Sequence, residues 1–295
     1  MSDFNTMAEL NHLVHNGKDY DVGPFRTYVR PVLAEFIGTT LFVFIGVMSA
    51  TQPGASLATV GLAHGLTIAL LIMGLGKISG GHFNPAVSLG VCLAGGLSIV
   101  LTIAYAVSQI LGGMLGAAFA RAIVKGDIFN AMGGGAHIPQ TDAGWAILGE
   151  VILTTILVLS VIMNAVNKET KNDFAPFAIG LSVAADIMAA GSTTGASMNP
   201  ARSFGPAVVA SAVVSVNPWP YHYVYWVGPA GGAVLAAILH RFVFQNPQSL
   251  NGQKLNVQKP SVFSIVLSPQ SEQGPKSTMT SGVADDSQKG PTETQ

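Results

Sequence analysis

Apolar stretches long enough to cross ~30 Å of hydrocarbon at 1.5 Å per residue occur six times, over residues 31–50, 57–75, 97–120, 145–166, 174–190 and 221–244. Two further apolar runs, 84–93 and 199–210, are too short to span and predict re-entrant half-helices. The pattern thus predicts an all-α membrane protein with six transmembrane helices and two half-helices. Six crossings return both ends of the chain to one side. Eleven Lys and Arg fall on that side, against Arg121, Lys125 and Arg202 on the other, which predicts cytoplasmic termini. Trp145, Trp219, Tyr221, Tyr223, Tyr225 and Trp226 fall at predicted helix ends, where an interfacial aromatic belt anchors spans.

The sequence repeats itself at an offset of 115 residues. Glu35 matches Glu150, Thr39 and Thr40 match Thr154 and Thr155, and Gly65 and Leu66 match Gly180 and Leu181. The register continues through Asn84-Pro85-Ala86 onto Asn199-Pro200-Ala201, and Ser88 onto Ser203. Each half holds three spans, an odd number, so the second copy enters the membrane inverted. Its half-helix is predicted to meet the first from the opposite face near the midplane. Non-helical backbone at that depth is tolerated where it is buried in protein or lines a water-filled cavity, so the repeat implies a polar path. Gly61-xxx-Gly65, Gly112-xxx-Gly116 and Gly228-xxx-Gly232 supply small faces for helix packing.

The two Asn-Pro-Ala elements suit helix starts, since Asn caps an orphan N–H and Pro, which lacks one, fits the first helical position. With each carboxamide oxygen held by backbone, the –NH₂ groups of Asn84 and Asn199 are expected to stay free to donate into the cavity. The positive half-helix ends would repel cations and protons there. Ionisable groups inside a membrane are functional candidates, since a central charge costs about 2.5–3.5 kcal/mol. Glu35 and Glu150 are expected to brace the half-helices by accepting hydrogen bonds from loop backbone. His82, two residues before Asn84, is expected to brace its loop. Arg202 is placed at the outer end of its half-helix, where the first repeat has Val87, and reads as a selectivity element. For His64, packing and pore roles both stay open from position alone, and Asp186 has no assigned role.

Composition agrees with a lipid-solvated core. Hydrophobic residues make up 49% and charged residues 10%, against about a quarter charged in soluble domains. Only 14 of the 29 charged side chains lie between residues 31 and 244. A net charge of −1 without a basic block gives no footprint for nucleic acid. The one cysteine, Cys92, excludes an intrachain disulfide framework and a cysteine zinc site. The first 30 residues lack an apolar signal-type core. No nucleophile–base pair or metal cluster can be assembled within the membrane, so neither enzyme chemistry nor a cofactor or metal is expected.

The stretches Ser79-Gly-Gly-His-Phe-Asn-Pro-Ala-Val87 and Met198-Asn-Pro-Ala-Arg-Ser-Phe-Gly-Pro206 resemble the aquaporin family. The resemblance covers residues 31–244, as halves of about 31–123 and 144–244; residues 1–30 are left as a cytoplasmic segment and 245–295 as a disordered cytoplasmic tail. It implies a pore in each protomer, a homotetramer in membrane lipid, and passage of water and small neutral solutes but not of ions or protons. By motif alignment the family's filter falls on His64, Ile187, Ala196 and Arg202. That set resembles the aquaporin-8-like branch, whose members conduct ammonia and hydrogen peroxide beside water, as do the stretches Leu62-Ala-His-Gly65 and Ala175-Pro-Phe177. Ser203 stands where glycerol-conducting members carry Asp, and Ala196 where many relatives have Cys. A plasma-membrane location is expected. Two rival readings stay open: a non-conducting junction or scaffold protein of the same fold, and a secondary transporter, which would need carboxylates at the midplane.

Overall fold

The computed structural model describes residues 14–15, 18–19, 23–215 and 217–246. The expected tail beyond 246 and most of the segment before 23 lie outside the described residues. Nine α-helices are formed among these: α1 (Arg30–Ala50), α2 (Leu57–Ser79), α3 (Pro85–Leu93), α4 (Ile99–Ile123), α5 (Gly126–Ala131), α6 (Ala143–Val161), α7 (Ala175–Ala190), α8 (Pro200–Ser211) and α9 (Val224–Leu239). Single π-helical turns extend α1 at its start (Phe25–Val29) and α6 and α9 at their ends (Ile162–Val166, His240–Phe244). A two-residue antiparallel pair, Val14–His15 with Lys18–Asp19, is the strand structure among the described residues.

Local chemistry explains the boundaries. Ser56 and Ser98 cap α2 and α4 by accepting from the N–H of Thr59 and Leu101, each satisfying an orphan donor of the first turn. Gly80, at φ +95°, closes α2 in the left-handed conformation that glycine adopts without a side-chain clash. Five spans are long and apolar enough to cross a bilayer, and α7 is the short one. Its 16 residues rise about 24 Å, a little less than the hydrocarbon thickness. The connection from 124 to 142 is itself folded and contains α5 and a 3₁₀ turn, Gly133–Gly135.

Packing follows the repeat. Helix α1 lies on α4, α6 on α9 and α2 on α7, with α3 against α9 and α8 against α4. Gly65 and Gly180, the equivalent residues of the two halves, touch each other: a Cβ on either would run into the carbonyl of its partner. Equivalent residues can meet only on the axis that relates the halves, so the pseudo-twofold passes between α2 and α7 there. Gly112 abuts Phe36, Thr39 and Thr40, and Gly232 abuts Val151, Thr154 and Thr155, the same positions 115 residues later. Gly232 itself stands 120 residues after Gly112, so the second half carries five extra residues between its half-helix and its last span. The fixed offset read from the sequence ends at that insertion.

Candidate functional site

The N-terminal tips of α3 and α8 meet head to head in the interior. Asn84 Oδ1 accepts from the N–H of Ala86, and Asn199 Oδ1 from those of Ala201 and Arg202. Their amide nitrogens were expected to be free, and each is partly used. Asn84 Nδ2 donates to the carbonyl of Met198 at 2.8 Å, and Asn199 Nδ2 to that of Phe83 at 2.9 Å. The exchange is reciprocal, since Phe83 and Met198 are equivalent positions. It clips one half-helix to the other and leaves one N–H on each amide. Phe83 and Met198 are held at φ +48° and +54°, a left-handed conformation that costs a side-chain-bearing residue energy and that the clip helps to hold.

Buried glutamates hold the approach to each tip. Glu35 accepts from the Ser79 hydroxyl and the N–H of His82 through Oε1, and from the N–H of Phe83 and from Gln109 Nε2 through Oε2. Glu150 accepts from the Thr194 hydroxyl and the N–H of Ser197 and Met198. A buried carboxylate is tolerable only when so satisfied. Tyr105 and Tyr225 donate to the carbonyls of Ser79 and Thr194. Tyr225, placed in the aromatic belt by its sequence position, is instead fully buried in this role, while Trp145, Trp219, Tyr221 and Tyr223 are exposed.

The two halves differ in one partner. Gln109 donates to both Glu35 and Ser88. Its counterpart after the insertion is Pro229, which has no side-chain donor. Ser203, the equivalent of Ser88, is contacted instead by Nδ1 of His137 at 2.7 Å and by the Ser197 hydroxyl. His137 comes from the connection before α6. Burial pushes its pKa well below the ordinary imidazole range, and the nearby Arg202 guanidinium pushes the same way. His82 Nδ1 contacts Ser88, and its ring stands edge-on to Tyr105.

A single cavity of about 350 Å³ runs past both tips and is lined by Asn84, Asn199, His64, Ile187, Ala196 and Arg202, among others. Arg202 is not at the far end of its half-helix but in the first turn of α8, where the helix dipole disfavours a cation by about 0.3–1 kcal/mol. Its side chain is held by neutral acceptors: Nη1 donates to the carbonyl of Gly135 at 3.0 Å and Nε to Nε2 of His64 at 3.0 Å. Since His64 Nδ1 faces the carbonyl of Val60 at 2.8 Å, the imidazole is the neutral Nδ1–H tautomer with both nitrogens engaged. His64 therefore presents no free ring nitrogen to the cavity; it lines the wall and holds the Arg202 guanidinium in place. Two of the five guanidinium N–H groups are used within the protein, which leaves three.

Sequence reasoning missed Gly135, His137 and Gln109 as parts of this site. Gln109 and Tyr105 share a helix with the glycines that mark α4, and a search allowing the five-residue shift would have paired Tyr105 with Tyr225. The path of the connection that carries His137 had no such signal. Asp186 is buried, with Oδ2 unpartnered, and the structure does not explain it.

Residues 25–240 match the sequence profile of the family described as major intrinsic protein. The chain is 46% identical to aquaporin-8 of Mus musculus over 224 residues, which cover 74% of this chain and 84% of that one. It is 37% identical to aquaporin-4 of Mus musculus over 227 residues, covering 74% and 68%. Its fold matches the X-ray structure of the aquaglyceroporin from Plasmodium falciparum with a TM-score of 0.66 at 24% identity, over 77% of this chain and all of that one. A clipped pair of half-helix tips on a continuous cavity and the extent of these matches lead to one conclusion: the chain belongs to the major intrinsic protein (aquaporin) family, as a membrane channel for water and small neutral solutes.

Proposed function

We propose that the channel conducts ammonia, and hydrogen peroxide with it, beside water, and excludes ions and protons. The observation that carries this reading is the composition of the Arg202 end of the cavity. His64 and Arg202 are polar there while Ile187 and Ala196 are small or apolar, so a compact neutral solute finds donors on one side and no bulky aromatic opposite. Asn84 and Asn199 orient each permeant with their remaining N–H groups, Pro85, Ala86, Pro200 and Ala201 shape the tips, and Arg202 repels cations. Glu35 and Glu150 position these groups without touching the permeant, and His82, which lines the cavity, braces its loop through Ser88. The opposed positive ends of α3 and α8 oppose proton transfer along the file.

The channel domain is taken as 31–244. It works as a homotetramer in the plasma membrane with cytoplasmic termini, so that the Arg202 end faces outward, and it carries no catalytic activity; the basic residues clustered on the terminal side support that orientation. Purified protein in proteoliposomes is expected to speed both osmotic shrinkage and alkalinisation by an ammonia gradient. Shrinkage without alkalinisation beyond that of empty vesicles would remove ammonia from the reading. In His64→Phe the added bulk and the loss of the bond to Arg202 are expected to lower ammonia flux about tenfold, a barrier change of about 1.4 kcal/mol, and unchanged ammonia flux would show that His64 does not shape the filter.

A further inference from the structure

We propose that Ile72, Gly81, Val87 and Ile179 form a second selectivity ring at the other end of the pore, an apolar one that favours weakly hydrated solutes over water. The proposal deepens the ammonia reading and in that respect rests on it. Its starting point is the pseudo-twofold, fixed by the contact of Gly65 with Gly180 and by the reciprocal bonds of Asn84 and Asn199. Carried through the 115-residue offset, His64, Ile187, Ala196 and Arg202 become Ile179, Ile72, Gly81 and Val87. All four of these line the same cavity as the first set. The backbone correspondence holds as well: Ala196 and Gly81 both sit at positive φ, +46° and +68°, and Val87 occupies the same place in the first turn of α3 that Arg202 occupies in α8.

The symmetry copies the geometry of the filter and exchanges its chemistry. Where the Arg202 end offers a guanidinium, this end offers a valine side chain, and where it offers an imidazole, an isoleucine. Polar side chains on this half of the cavity are Asn84 and His82, and neither belongs to the ring. A molecule in the ring finds no hydrogen-bond partner among the ring's own side chains and forfeits the hydrogen bonds it cannot replace. Water, which donates two and accepts two in bulk, forfeits more than ammonia, a weak donor with one lone pair. The ring therefore raises the barrier to water more than the barrier to ammonia.

The test is to give the ring a hydroxyl at nearly constant shape. In Val87→Thr, water flux is expected to rise relative to ammonia flux by about threefold, with elution profile and melting temperature unchanged. Val87→Ala, which widens the ring and leaves it apolar, is expected to shift that ratio less than the threonine does. If Val87→Thr fails to fold, Ile179→Thr supplies the same hydroxyl from α7. A ratio equal to wild type in a folded threonine variant, or one matched by the alanine variant, overturns the proposal. Should the wild-type protein pass water and no ammonia, the ammonia reading fails by itself. The ring is then decided on water alone, since threonine must still raise osmotic flux if it lowers a barrier there, and flux unchanged in both threonine variants rejects it.

Discussion

Each glutamate at the foot of a half-helix accepts several hydrogen bonds at once, so its removal strands several donors. Glu150→Ala leaves the N–H of Ser197 and Met198 and the Thr194 hydroxyl without their acceptor. At about 1–3 kcal/mol for each unsatisfied buried group, little folded protein is expected, as read by yield of a monodisperse peak in detergent. Glu150→Gln keeps one acceptor oxygen and is expected to fall between the two. A softer effect is expected at His137. Because its pKa lies well below the 6.5 of an unperturbed imidazole, acidification through that value leaves it neutral, and the contact with Ser203 persists. The His137 ring, followed by its NMR shifts, is therefore expected not to titrate between about pH 8 and about pH 5.5, and a transition centred near 6.5 would contradict the assignment. Residue roles were legible in the sequence where chemistry was scarce, as at Glu35 and Glu150, whose charges stand out in an apolar chain and which brace the half-helices as expected. They were not legible where partners come from distant segments. Nothing in the sequence around Asn84 shows that its amide donates to the carbonyl of Met198.

Helix boundaries depend on caps and helix contacts on glycine, and these two signals had different reach. Asn-Pro fixed the starts of α3 and α8 because a side-chain acceptor followed by a residue without an N–H is a strictly local device. The length of α2 was underestimated, since Lys77 in its last turn reads as a polar break, although a cation at a helix C-terminus is favourable. The repeat predicts equal effects from equivalent substitutions. Gly65→Val and Gly180→Val both drive a side chain into the partner's backbone and are expected to abolish folding alike. Gly74→Ala on the same α2, whose Cβ would meet nothing within 4 Å, is expected to be neutral or to stabilise by up to about 1 kcal/mol. Thermal melts of the purified variants check all three, and a folded, wild-type-like Gly65→Val would argue against the axis placed there.

The whole channel combines a symmetric frame with asymmetric mouths. Inverted halves were readable because an odd number of spans permits no other arrangement, and the exchange of Val87 for Arg202 between them was readable too, whereas the five-residue insertion and the folded connection change no hydrophobic pattern and were not. Cys92 is half-buried on α3 and is not among the residues that line the cavity. A mercurial at that thiol is therefore expected to reduce osmotic flux only weakly, and strong block lost in Cys92→Ser would place the thiol against the permeant. The connection that carries Gly135 and His137 has a different consequence. It grips Arg202 by one carbonyl and reaches α8 through Ser203, and its Met132, Ala136, Ile138 and Gln140 line the cavity itself. A binder raised against residues 126–140 would therefore both cap the conduit and tug on the guanidinium, so water flux and solute choice are expected to change together.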